Sequence, residues 1–100
     1  MTVTIFDNDD RAYLKWLTEH PEGFVANGRR KFDPDYLVLH RATCRSVNVF
    51  PGMEENPGGF TERNYVKYCG ESISSLEKHL DSFTGSSQPL SKECSSCKPR

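Results

Sequence analysis

Apolar residues occur along this chain in short, separated runs, and the period of each run predicts its element. Thr2 to Phe6 reads as a short strand. It leads into Asp7-Asn8-Asp9, any of which can cap a helix, while Asp9 and Asp10 suit the positive end of a helix dipole. The helix that follows carries Tyr13, Leu14 and Leu17 at helical spacing with Trp16 beside them, a set that reads as core rather than as a ligand platform. It should stop at His20-Pro21, because proline disfavours helical geometry in the residue before it. Gly23 to Gly28 predicts a strand ending in Asn27-Gly28, a dipeptide that tolerates positive φ and favours a tight hairpin turn. Tyr36-Leu37-Val38-Leu39-His40 is β-prone throughout and apolar on both faces, which places it centrally in a sheet. Ser46 to Phe50 alternates with period two and predicts another strand, leaving Arg41 to Arg45 as the turn that holds Cys44.

Pro51 to Gly59 is rich in turn residues and has no apolar period, so it predicts a surface loop. Asn64 to Cys69 reads as the last strand, ended by Gly70. Ser72 or Ser74 can then cap a second helix, since Ser74 precedes Glu77 at capping-box spacing and Ile73, Leu76, Leu80 and Phe83 form one stripe. Residues 85–93 have the composition of a linker. The expected fold class is α+β: a small antiparallel sheet packed by two helices, one domain over residues 1–100, with a C-terminal tail in which Cys94-x-x-Cys97 predicts a zinc anchor at 94–97. No internal repeat is visible.

Composition supports that size of assembly. One hundred residues, 35% hydrophobic and 11% aromatic, suffice for one compact domain, although a chain this short buries a smaller share of its surface than a larger one. The start of the chain has neither a basic cluster nor a long apolar run, so it reads as neither a secretory signal nor a targeting helix. No stretch approaches the ~18 apolar residues of a membrane span, and the mean hydropathy of -0.68 agrees. The expected location is cytoplasmic, where disulfides are disfavoured and metal ligation by cysteine gains weight.

The four cysteines then become the most informative residues. Cys94 and Cys97 form a C-x-x-C knuckle in a segment that would fray without an anchor, and thiolates at this spacing can point at one ion about 2.3 Å away. Cys44 and Cys69, at the ends of two predicted strands, complete a four-cysteine zinc set, with His40 as the alternative ligand because three residues separate it from Cys44. His40 also has a plain reading as a strand-end histidine bonded to backbone. A thioredoxin-like redox role fits poorly, since that motif begins a helix after a strand, whereas here three residues follow Cys97. Four protein ligands close the shell and make the Zn2+ structural; if Cys69 is instead a core thiol, a three-ligand site with an open position becomes available.

The formal net charge of -1 hides an uneven distribution. Asp7, Asp9 and Asp10 crowd the start, Arg29, Arg30 and Lys31 run together, and Arg41 and Arg45 flank Cys44. A basic run is commonly a solvated loop, and a pI near 6.3 is far from that of a dedicated nucleic-acid binder. The leading expectation is nonetheless a zinc-stabilised module that meets DNA or RNA phosphates through Arg29, Arg30, Lys31, Arg41 and Arg45, with Tyr36, Tyr65 or Tyr68 stacking on bases. The alternatives are a protein-interaction module using the segment around Met53-Glu54-Glu55, and a small hydrolase or nuclease with His40 as base beside Arg41 and a tyrosine. The enzyme has least support, because no motif fixes an acid-base geometry and no glutamate stands in the metal-adjacent context of zinc hydrolases. His20 and His79 read as surface residues.

The string Gly23-Phe24-Val25-x-Asn27, Tyr36-Leu37-Val38-Leu39-His40-Arg41-Ala42-x-Cys44, Tyr65-x-Lys67-x-Cys69 and Cys94-x-x-Cys97 resembles a pattern found in small uncharacterised bacterial proteins and at the ends of larger ones. Some of these are related to restriction or other DNA-directed systems. The resemblance spans Trp16 to Cys97, is most specific at Leu39-His40-Arg41-Ala42-x-Cys44, and implies a binding or accessory module. It implies no catalytic residues.

Overall fold

The computed structural model describes residues 3–31, 36–48, 61, 65–84, 92–95, 97 and 99. Strand β1 (Val3–Phe6) gives way to helix α1 (Asp10–Glu19), where the Asp9 carboxylate accepts the Ala12 amide at 2.9 Å. That bond satisfies one of the first-turn N–H groups that no helical partner can reach. At the other end the His20 amide donates to the Trp16 carbonyl at 2.9 Å, and Pro21 prevents a further turn. Strands β2 (Phe24–Arg29) and β3 (Leu37–Arg41) lead to a single helical turn, α2 (Arg45–Asn48). Strand β4 (Tyr65–Gly70), helix α3 (Ile73–Thr84) and the two-residue strand β5 (Lys92–Glu93) follow.

The strands form one sheet in the order β1-β4-β2-β3-β5, antiparallel at every junction except the last, where β5 runs parallel to β3. Alternation along each strand divides the sheet into two faces. On the first, Val25 and Cys69 meet Tyr13 and Leu17 of α1 and Val47 of α2, with Phe6 packed beside Tyr13 at a ring separation of 5.8 Å. On the second, Ala26, Leu39, Val66 and Tyr68 meet Leu76 and Leu80 of α3. The fold is therefore α+β with a helix layer on each face of a mixed sheet. The periods of α1 and α3 are those expected for helices that bury one stripe.

Several local expectations are corrected. Asn27-Gly28 is not a turn: β2 continues through both residues to Arg29. Asn27 accepts the Lys67 ammonium at 2.6 Å, and a Cβ on Gly28 would come within 3.1 Å of the Tyr68 ring and 3.2 Å of Leu37, so this glycine serves close packing within the sheet. Residues 45–48 are helical, because the Val47 amide turns back to the Cys44 carbonyl at 3.1 Å; Val49 and Phe50 lie outside the described residues. The middle strand is β2, paired along its length with β3 and β4, while β3 lies one place further out.

The cap of α3 is Ser72, whose hydroxyl accepts the Ser75 amide at 3.1 Å, and not Ser74. Within the segment read as a linker, Lys92 and Glu93 pair with Val38 and Leu39, which makes the sheet mixed; residues 85–91 and the loop expected at 51–59 lie outside the described residues.

Candidate metal centre

His40 is the penultimate residue of β3 and faces α1 with Val38, since the two lie two residues apart. The chain then reverses at once: the Ala42 amide bonds the Gly23 carbonyl at 3.0 Å and the Cys44 amide bonds the Arg41 carbonyl at 3.0 Å. This tight turn, held down by buried Ala42 and Val47, returns the Cys44 thiol over the end of the strand. The third contribution comes from the tail. Parallel pairing of Glu93 with Leu39 extends by one more bond, from the Cys94 amide to the Leu39 carbonyl at 2.9 Å, which sets Cys94 beside His40. Cys97 arrives one turn later, where its Sγ accepts the Arg41 amide at 3.3 Å and its carbonyl accepts Arg41 Nε at 3.0 Å.

The result is a group of four side chains, His40, Cys44, Cys94 and Cys97, whose ligand atoms all lie within 4.8 Å of one another. Four ligands about 2.3 Å from an ion at the corners of a tetrahedron stand about 3.8 Å apart. Cys44 Sγ and Cys94 Sγ are 3.8 Å apart, the spacing of two such corners and far too long for a disulfide. His40 adds a second observation. Its Nδ1 is the one buried side-chain nitrogen or oxygen among the described residues without a hydrogen-bond partner. A buried polar atom left without a partner costs about 1–3 kcal/mol. In the tautomer that leaves its lone pair free, Nδ1 could be satisfied by a metal ion.

Electrostatics agree with an uncharged imidazole. Burial, and then the Lys67 ammonium, lower the His40 pKa to about 4, so the ring is neutral at any physiological pH and has a lone pair to give. The Cys97 thiol is pushed up to about 11, first by burial and then by Cys44 and Cys94, against the Arg41 amide. A metal bound here would release protons as thiols become thiolates.

Cys69 is not in this group. It lies on the same face of the sheet, but Val25 is its register partner on one side and His40's on the other, so two strand spacings, about 10 Å, separate Cys69 from His40. It is fully buried, and burial raises its thiol pKa well above the ordinary value, as befits a small core residue. The group that could hold a metal thus contains His40 and not Cys69.

The basic residues do not form one surface. Arg29, Lys31 and Tyr36 lie at the far end of the β2–β3 pair, whereas Arg41 and Arg45 lie at the metal end, about 16 Å along β3. Arg30 is engaged, donating to the Asp7 and Thr61 carbonyls and so tying β2 to the entry of α1. Arg41 is engaged with Cys97, as above. At the far end, the Arg29 guanidinium lies 4.2 Å from the Tyr36 ring centroid, the Lys92 ammonium 5.9 Å from it, and Tyr65 has its ring 6.4 Å from that of Tyr36.

Nothing in the sequence assigns a role to Lys92, and Lys67 stands out there only within the string Tyr65-x-Lys67-x-Cys69. Lys67 is buried, bonded to Asn27, and placed 5.3 Å from the Tyr65 ring and 5.9 Å from the Tyr13 ring; burial lowers its pKa to about 8. His20, by contrast, stacks on Trp16 with ring centroids 4.4 Å apart and approaches Glu71 at 3.7 Å. Among the described residues no helix is long and apolar enough to cross a membrane. No family model, curated protein or solved structure gives a significant match to the chain.

Proposed function

We propose that this chain is a Zn2+-stabilised binding module, with the ion held by His40, Cys44, Cys94 and Cys97, that contacts single-stranded nucleic acid. The observation that carries the metal is the convergence of one ligand atom from each of the four residues within 4.8 Å, and His40 Nδ1, buried without a hydrogen-bond partner, supports it. Three thiolates and an imidazole are a donor set that suits zinc, and four protein ligands leave no position for a reactive water. The ion is therefore structural: it ties the tail to β3 and the Arg41–Cys44 turn. The same closed shell leaves His40 no role as a general base.

The nucleic-acid contact rests on the far end of the sheet. Arg29, Lys31 and Lys92 are exposed, and Tyr36 and Tyr65 are half-buried between and beside them. Cations supply phosphate contacts and tyrosine rings supply stacking surface that accepts any base, a combination suited to unpaired strands. Arg30 and Arg41 belong to the scaffold in this reading.

The test is fluorescence anisotropy of a labelled oligothymidine titrated with zinc-loaded protein across a salt series. The expected result is binding whose log K falls with log salt by about 0.7 for each phosphate engaged, and Arg29→Ala should make that slope shallower by about 0.7. Elemental analysis should give one zinc per chain. Zinc-loaded protein that does not bind at low salt would remove nucleic acid from the function while leaving the metal centre in place.

A further inference from the structure

Metal and surface share a strand. Lys92, beside Tyr36, and Cys94, beside His40, are two residues apart in the same short tail, and the register Val38↔Lys92, Leu39↔Glu93 fixes which side chain faces which. Beyond β5, Cys94 and Cys97 pack against the first core cluster and Pro99 is buried. The polar contacts of the tail include two residues of parallel pairing, the Cys94 amide on the Leu39 carbonyl, the two Arg41 contacts to Cys97, and the thiols beside His40. Both β5 residues are exposed, so their own side chains bring little apolar burial against the entropy of ordering them, and the docking of Lys92 depends on the residues that follow it. A strand of two residues does not dock on such terms alone.

We propose that the metal centre positions Lys92 as part of the nucleic-acid surface, so that metal occupancy and nucleic-acid affinity are thermodynamically coupled; this rests on the binding reading above. The structural zinc is then also a switch. With the ion in place, residues 92–97 lie along β3 and the Lys92 ammonium stands over the Tyr36 ring, adding a third cation to Arg29 and Lys31. Without it, Cys94 and Cys97 lose their shared partner, the tail leaves β3, and Lys92 goes with it. Arg29 and Tyr36 sit on β2 and next to β3 and stay where they are, so the zinc-free module retains a weaker surface. Linkage makes the effect reciprocal: bound nucleic acid tightens zinc by the same factor.

The test is a two-by-two comparison by oligothymidine anisotropy: wild type and Lys92→Ala, each zinc-loaded and zinc-free. In zinc-loaded protein, Lys92→Ala should reduce the salt slope by about 0.7 and weaken binding about 5-fold at 0.1 M salt, the value of one single-strand phosphate contact. Removing zinc should do the same to wild type and almost nothing more to Lys92→Ala. Hydrogen exchange should show the Cys94 amide opening on zinc removal while β2 and β4 stay protected. Zinc-loaded Lys92→Ala that binds like wild type overturns the proposal and spares the binding reading. Equal losses in both proteins, or a zinc-free protein that unfolds, overturn it as well, because the ion then acts on the whole fold. No binding by zinc-loaded wild type removes both.

Discussion

The sharpest test of the ligand set is to truncate two cysteines that the sequence alone treats alike. Cys69→Ala removes one sulfur from a site with no solvent exposure, against Val25 and the α1 side of the core. Losing one buried heavy atom and leaving its volume empty costs about 1–2 kcal/mol. For a domain of this size that lowers the melting temperature by roughly 5–15 °C. Zinc content should stay at one per chain, and the chelator should still destabilise the variant as much as wild type.

Cys94→Ala should behave in the opposite way. Its side chain is only half-buried, so little transfer energy is lost, but a ligand is gone. At free zinc 100-fold above the dissociation constant, binding stabilises the native state by about 2.7 kcal/mol, and that increment disappears. The melt should drop by roughly 10–20 °C in the presence of zinc and then be insensitive to chelator. The assay is a thermal melt by circular dichroism with and without chelator, paired with elemental analysis. Zinc-free Cys69→Ala, or Cys94→Ala that keeps one zinc and its chelator shift, would refute the assignment.

Two further predictions concern the core beneath the site. The buried Tyr13 hydroxyl donates to the Val47 carbonyl at 2.6 Å and so anchors the turn that bears Cys44; Tyr13→Phe leaves that carbonyl without its donor and should cost about 1–3 kcal/mol in denaturant melts, with zinc content retained. Lys67 has its pKa lowered from 10.5 to about 8 by burial, so below pH 8 folding must carry an ammonium that the fold disfavours, and this cost is relieved as pH rises from about 8 to 10.5. Wild type should therefore gain on Lys67→Met by up to about 3 kcal/mol across that window, and urea melts at pH 7.5 and 10.5 that show a constant difference would contradict the burial argument.

Most of the elements can be read from the residues, because α1 and α3 carry clear stripes and β1, β3 and β4 are short β-prone runs. Sequence and structure part where one residue satisfies two patterns. Asn27-Gly28 looks like a turn but serves a hydrogen bond to Lys67 and a close packing contact, both of which depend on a neighbouring strand 40 residues away in sequence. Val47 is the one apolar residue of the turn at 45–48, and a single apolar residue cannot distinguish a period of two from one helical turn.

Three of the four proposed ligands follow from the cysteine pattern, and the fourth turns on register. His40 and Cys69 face the same way on either side of Val25, and only the pairing of β5 with β3 decides which of them the tail reaches. Lys92 gains its place from that same two-residue pairing, which has no periodicity to announce it.

The parallel pairing of β5 also bears on solubility. Its two residues cover the outer side of β3, where Leu37-Val38-Leu39 would otherwise present an apolar run with unpaired backbone donors and acceptors. Such an exposed edge is a template for a second chain. Metal-starved protein should thus self-associate through β3, visible as light scattering that grows with concentration after chelation and is suppressed by added zinc. On that outcome the C-terminal clip would be what keeps the sheet edge from other copies of the chain.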